Sequence, residues 1–407
     1  MFTDIDLALN YVMGRMNISE GLNNFRVLMD YLDNPEDELK FIHVGGTNGK
    51  GSYIAYMMNT LMNEGYNVGT FQSPHLVTHL DRIRINDNNI DSDSFLKYLN
   101  QNLSYIQEKN LNMFEIDFLI MCQYFRDNNV DIVLLEVGLG GRLDVTNVIK
   151  KSLLTVITSI GYDHQEFLGN TLELIANEKA GIIKNNCPTL IGVMDRSVTQ
   201  VFENVCKLKN SDFYIVDSIK TNKGFFTYKN EDYPIGSLAK YQMRNASLVV
   251  ESVNLLNKYH NYSISKDNLK KAIKETVWKG RFQVINKEPL VILDGAHNED
   301  GIKALVESFD VLPKPIIVIC SFMKDKNYLA MLEILIKNSD KVYLTSFDYS
   351  RALKIDNVSE IVVEKFEQYT KALERAYSTV NKGTIVICGS LYFVSEIYNN
   401  KMFDLVK

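Results

Sequence analysis

The sequence predicts an α/β protein of two domains, and three observations carry that prediction. Residues 41–44 form a short apolar, β-prone run that enters a glycine-rich turn and then a helical pattern. From there to about residue 280, apolar runs of strand length alternate with amphipathic segments of helix length, the rhythm of a mostly parallel sheet covered on both faces. A second, shorter alternation begins near residue 288 and describes a smaller α/β domain. At 407 residues and 46% hydrophobic content the chain has enough apolar material for two or three domains. The division is placed at 1–285 and 286–407.

Taken in order, Ile5, Leu9, Val12 and Met13 recur at helical spacing, as do Phe25, Leu28, Met29 and Leu32, and Asn34-Pro35 ends that pattern. Strands are expected at 41–44, 68–71, 131–136, 153–160 and 189–193, and a helix with capping-box spacing from Asn170 to Gly181. Residues 205–240 are more polar and alternate at 213–216 and 225–228, which suggests short antiparallel strands at a sheet edge or in a small subdomain. Helices follow at 241–256 and 266–277. The second domain reads as strand 290–293, helix 298–309, strand 316–320, helix 328–336, strand 342–345, helix 370–380 and strand 384–388.

The turn after the first strand, Gly45-Gly-Thr-Asn-Gly-Lys-Gly-Ser52, has the composition of a phosphate cradle. Glycines let backbone N–H groups turn toward an anion, the helix start adds its positive end, and Lys50 supplies a point charge. The strict pattern G-x-x-x-x-G-K-[ST] does not hold, since Val44 takes its first place and Gly51 separates Lys50 from Ser52.

In parallel sheets ligands sit outside the carboxyl ends of the strands, and Ser52, Ser73, Glu136 and His164 all fall at or just past such ends. Glu136 closes an apolar run, where an uncompensated carboxylate costs several kcal/mol; magnesium beside nucleotide phosphates is one compensation and Arg142 is another. Ser73, before Pro74, also suits a plain turn, and His164 a plain loop. Lys179, in the last turn of its helix, reads from sequence alone as a stabilising charge on the helix dipole.

The formal charge of −6 gives no overall basic footprint for nucleic acid or anionic lipid. Five widely spaced cysteines without C-x-x-C read as buried thiols of a reducing compartment, and no apolar run reaches membrane-spanning length. These features lead to the expectation of a cytoplasmic protein that binds neither nucleic acid nor membrane.

Gly46-Thr-Asn-Gly-Lys-Gly-Ser52, Ser73-Pro-His-Leu76, the run from Leu135 to Asp144, Asp163-His-Gln-Glu166, Glu178-Lys-Ala-Gly181, Gly280-Arg281, the run from Leu293 to Asn298 and Gly389-Ser-Leu391 occur in an order that resembles the folylpolyglutamate synthase and dihydrofolate synthase family of Mur-type ligases. That resemblance implies a P-loop domain of the Mur-ligase central type with a Rossmann-like C-terminal domain carrying the glutamate side. It implies an ATP-dependent ligase that joins L-glutamate to dihydropteroate or a folate through an acyl phosphate. Thr47, Asn48, Gly49, Lys50, Gly51 and Ser52 would hold phosphate; Ser73 and Glu136 one Mg2+; His164 a second. Lys179 would carry a carbamate that orients the second metal. Lys50, His164 and Lys179 would thus be the catalytic groups. Asn245, Arg281 and Asp294 would contact the nucleotide, with His297 nearby. Only small-molecule substrates, and action as a monomer, are expected. Lys279, Asp81 and Glu299 depart from the common family pattern without touching these groups. A peptidoglycan-precursor ligase and a non-catalytic ATP-binding module are the alternatives; Ser52 after Gly51 and the 135–144 run favour folate over the first, and retention of all the metal-binding groups argues against the second.

Overall fold

A computed structural model describes residues 1–16, 22–358 and 363–400. The chain forms two compact units. The first holds Met1–Ser218 and Asn245–Ile273; the second holds Ile219–Arg244 and the chain from Lys274 onward.

The first unit is built on a sheet of eight strands: β1 (Phe41–Gly45), β2 (Val68–Phe71), β3 (Ile83–Ile85), β4 (Asn88–Asn89), β5 (Ile132–Glu136), β6 (Leu154–Ile157), β7 (Thr189–Ile191) and β8 (Phe213–Ile215), in the order β4-β3-β2-β5-β1-β6-β7-β8. From β2 across to β8 every pairing is parallel. That explains why β1, β2, β5 and β6 are apolar runs and not alternating ones: helices cover both faces, and all their residues are buried. On one face Phe71 meets Phe118 edge-on at 6.0 Å, and Phe118 meets Phe25 at the same distance. On the other, Ile157, Ile182, Ile191 and Phe202 share a second core. The order places β1 between β5 and β6, so the loops after β2, β5, β1 and β6 leave from neighbouring strands, about 5 Å apart.

The second unit carries a small antiparallel sheet, β9 (Lys220–Asn222), β10 (Phe225–Tyr228) and β11 (Glu231–Pro234). Its main sheet comprises β12 (Gln283–Lys287), β13 (Leu290–Leu293), β14 (Ile316–Cys320), β15 (Lys341–Thr345), β16 (Glu364–Phe366) and β17 (Thr384–Cys388), ordered β12-β13-β17-β14-β15-β16. Only β12 runs antiparallel to its neighbour.

Two expectations need correction. Residues 213–216 were expected to lie in an antiparallel edge or subdomain, but β8 joins the large sheet parallel to β7, because the amphipathic helix Arg196–Leu208 returns the chain in the same direction. The helix expected from Asn170 starts one residue later: Thr171 is its extended cap, with the hydroxyl accepting from the Leu174 N–H at 3.2 Å. All five cysteines are buried, free thiols, as expected.

Candidate active site

Glycine conformation shapes the turn after β1. Gly46 has φ +137°, and a Cβ there would lie 2.0 Å from the Thr158 hydroxyl. Gly49, at φ +91°, caps helix Lys50–Asn63, and a Cβ there would lie 2.5 Å from the Asn245 side-chain oxygen. The turn is laced to the end of β6. The Thr47 N–H donates to the Ser159 carbonyl at 2.8 Å and the Asn48 N–H to the Ser159 hydroxyl at 3.0 Å. The hydroxyls of Thr158 and Ser159 both donate to the Asn48 carbonyl, at 2.6 and 2.9 Å. Reading the strand through to residue 160 hid these two residues; the signal was the polar pair Thr158-Ser159 at the end of an apolar run.

Gly51 and the buried Ser52 lie in the first turn of helix Lys50–Asn63, whose opening N–H groups have no acceptor within the helix. Lys50 bends back over the turn: its Nζ donates to the Gly46 carbonyl at 3.2 Å and lies 3.8 Å from Glu136 Oε1. Glu136 ends β5, is 5% exposed, and accepts from the Ser73 N–H at 3.4 Å. Its cation is therefore Lys50. Arg142, the alternative, pairs with Glu178 at 2.8 Å.

Lys179 is not a solvent-facing charge at a helix end. It is 6% exposed, and its Nζ donates at 3.1 Å to the same Gly46 carbonyl that Lys50 uses. Burial, then the neighbouring Lys50 charge, lower its pKa from 10.5 to about 7, while Asp163 and Asp144 oppose the change. His164 sits at φ +50° ahead of the one-turn helix Gln165–Leu168, about half exposed, its Nε2 3.8 Å from Asp163 Oδ1.

Within the second unit, Arg281, Asp294 and His297 gather about the loop after β13. Asp294 is buried and accepts from the Tyr241 hydroxyl at 2.5 Å, the Phe282 N–H at 2.8 Å and the Ala296 N–H at 2.9 Å; burial raises its pKa. The Gly295 carbonyl accepts from Arg281 Nη1 at 3.2 Å and lies 2.9 Å from His297 Nδ1.

Lys50, Ser73, Glu136 and Lys179 are thus brought together about the end of β1, with Asn245 against Gly49, while Arg281, Asp294 and His297 form their own cluster. Among the described residues no three of His, Cys, Asp and Glu converge as a metal-binding set. What converges is one buried carboxylate beside a serine and a phosphate-type turn. Those are hard oxygen donors suited to Mg2+, which keeps several waters and takes one or two carboxylates together with substrate phosphate. The residues fit that ion.

A Mur ligase middle domain matches residues 44–286, and a Mur ligase, glutamate ligase domain matches residues 280–391. Dihydrofolate synthase/folylpolyglutamate synthase of Bacillus subtilis (strain 168) is 33% identical, across 98% of this chain and 99% of that protein. Folylpolyglutamate synthase of Lacticaseibacillus casei is 31% identical, across 91% and 92%. The crystal structure of a bifunctional folylpolyglutamate synthase/dihydrofolate synthase from Yersinia pestis, complexed with AMPPNP and Mn ion, superposes with a TM-score of 0.88 at 26% identity, covering 100% of this chain and 99% of that one.

Proposed function

The chain belongs to the Mur ligase family, in its folylpolyglutamate and dihydrofolate synthase branch, and from that premise we propose how its own residues carry the reaction. It is an ATP-dependent ligase that joins L-glutamate to a pterin carboxylate or folate by way of an acyl phosphate. A carboxylate is a poor electrophile; phosphorylation by ATP gives it a leaving group, and the amine of glutamate then displaces phosphate to form the amide. The protein's task is placement and charge compensation.

The observation that carries this assignment is the convergence of Lys50, Lys179 and Glu136 about the Gly46 turn, at the carboxyl ends of neighbouring parallel strands. Residues 47–52 present N–H groups and a helix start to the phosphates, and Lys50 places its ammonium among them. Glu136 and Ser73 would hold the first Mg2+ and His164 a second; magnesium bound there neutralises charge on the phosphoryl oxygens. With a pKa near 7, Lys179 is substantially uncharged at neutral pH, the form that attacks CO2: the new N–C bond forms, a proton leaves to solvent, and the resulting carbamate is an anion beside Lys50. Asn245, Arg281, Asp294 and His297 are assigned to the nucleotide. We further propose that the chain acts as a cytoplasmic monomer on small molecules alone; among the described residues no helix is long and apolar enough to cross a membrane.

We also propose both activities for this chain, as the name of the B. subtilis relative gives for that protein. The test is incorporation of labelled glutamate with ATP and magnesium, run in parallel with dihydropteroate and with a reduced folate. Product with both acceptors is expected; product with one alone names a single activity and removes the bifunctional reading.

A further inference from the structure

The loop that carries Ser73 is fastened from a side that the reaction chemistry does not explain. Residues 73–81 leave the carboxyl end of β2 and return as β3, antiparallel to it. The Gln72 N–H donates to the Arg82 carbonyl at 2.9 Å and closes the base of the loop. Inside it, one Asp81 oxygen accepts from the N–H groups of Leu76, Val77 and Thr78, at 3.2, 2.8 and 3.3 Å. The outer fastening is Asp117, on helix Met113–Asp127, with no exposed surface. Its Oδ2 accepts from Arg82 Nη1 at 2.6 Å, and its Oδ1 lies 2.8 Å from His79 Nε2. Arg82 and His79 are themselves 6% and 4% exposed. Phe114, one turn earlier on the same helix, sets its ring 5.7 Å from the guanidinium and 5.2 Å from Phe71. Among the described residues Arg82 Nε, His79 Nδ1 and Gln72 Nε2 have no hydrogen-bond partner. Asp117 is therefore the counter-charge of a guanidinium removed from water, and its loss leaves that charge uncompensated at the base of the loop.

We propose that Asp117 is a positioning residue for the ligase reaction. A short bonded path leads from it to the site: Asp117 holds the Arg82 side chain, the Arg82 carbonyl holds the Gln72 N–H, and the next residue, Ser73, donates its N–H to Glu136 at 3.4 Å. Asp117 thereby sets Ser73 against Glu136 without touching substrate, an inference that rests on the proposed metal-holding role of that pair. A salt bridge that only stabilises the fold would change the melting temperature; a positioning residue also changes what the loop does with metal.

The experiment uses the full-length protein with Asp117→Asn, Asp117→Glu and, as a stability control in the opposite core, Phe202→Leu. Two quantities are read: the Mn2+ concentration giving half-maximal glutamate incorporation, and hydrogen exchange at the amides of residues 76–78 without ligands. Asp117→Asn raises the half-maximal Mn2+ concentration about tenfold and accelerates exchange at those amides by a similar factor, the size expected when a group supporting a metal ligand is lost. Asp117→Glu, which keeps the charge, recovers part of both and carries the comparison if Asp117→Asn does not fold. Phe202→Leu leaves both near the parent's values. Parental metal dependence in Asp117→Asn, or the same shift in Phe202→Leu, overturns the proposal. A parent that incorporates no glutamate would remove the ligase reading instead, while parental exchange in Asp117→Asn would still remove the positioning role.

Discussion

Lys50 and Lys179 donate to one carbonyl, that of Gly46, at 3.2 and 3.1 Å, so each ammonium lies in the other's field. Burial first, and then the Lys50 charge, lower the Lys179 pKa from 10.5 to about 7. Lys179→Ala is expected to lose most glutamate incorporation, on the order of a hundredfold, with partial restoration by formate or acetate in place of the carbamate; a variant with parental activity contradicts the role. Lys50 was legible in the sequence, because a lysine between glycines ahead of a hydroxyl carries its meaning locally. Lys179 was legible only through the family resemblance and not from its local pattern, because what distinguishes it from an ordinary helix-end lysine is burial against a carbonyl 133 positions away. Glu36 is a different buried charge. It is 1% exposed, neither carboxylate oxygen has a partner among the described residues, and burial raises its pKa from 4.5 to about 7. The folded protein holds that proton longer than the unfolded chain, so this group's contribution falls as pH rises from about 4.5 to about 7. Denaturant titrations at pH 4.5 and pH 8 should show Glu36→Gln gaining on the parent by on the order of 2 kcal/mol across that interval; parallel curves would mean Glu36 stays solvated.

At the scale of elements, the site depends on a turn that only glycine can make. Gly46→Ala would push a methyl carbon to within 2.0 Å of the Thr158 hydroxyl at a φ that side chains rarely adopt, so the turn must move off β6. Thermal unfolding should report a loss of more than about 1 kcal/mol, and ADP titration a weakening of at least about tenfold. Unchanged ADP affinity would mean that the lacing of Thr47 and Asn48 to Ser159 does not shape the phosphate site. The strands were legible because sandwiched parallel strands are continuous apolar runs, as at 68–71, 290–293, 316–320 and 384–388. Less legible were elements whose register is decided elsewhere. The short hairpin strands β3 and β4 carry little pattern, and β8 takes its direction from a helix not read from the sequence. The Thr171 cap differed from the expected Asn170 by one residue, within the ordinary uncertainty of helix ends.

For the whole molecule, each unit gathers residues that sequence order keeps far apart: in the first, the turn at 46–52 with Ser73, Glu136 and Lys179; in the second, Arg281, Asp294 and His297 about Gly295. Motif order identified the family because most of the motifs follow strand ends, as after β1, β2, β5, β13 and β17, where chemistry constrains residue type more tightly than packing does; Glu178–Gly181 instead closes a helix. Local sequence did not show that Asp294 holds its own loop through Tyr241, Phe282 and Ala296, because those partners are set by the fold. The most direct test of an acyl-phosphate ligase follows oxygen atoms. Dihydropteroate labelled with 18O in its carboxylate is incubated with ATP, magnesium and glutamate, and the released inorganic phosphate is analysed by mass spectrometry. Transfer of one 18O to phosphate for each amide formed is the expected result. Amide formation with unlabelled phosphate, or ATP hydrolysis with no amide at all, would contradict it.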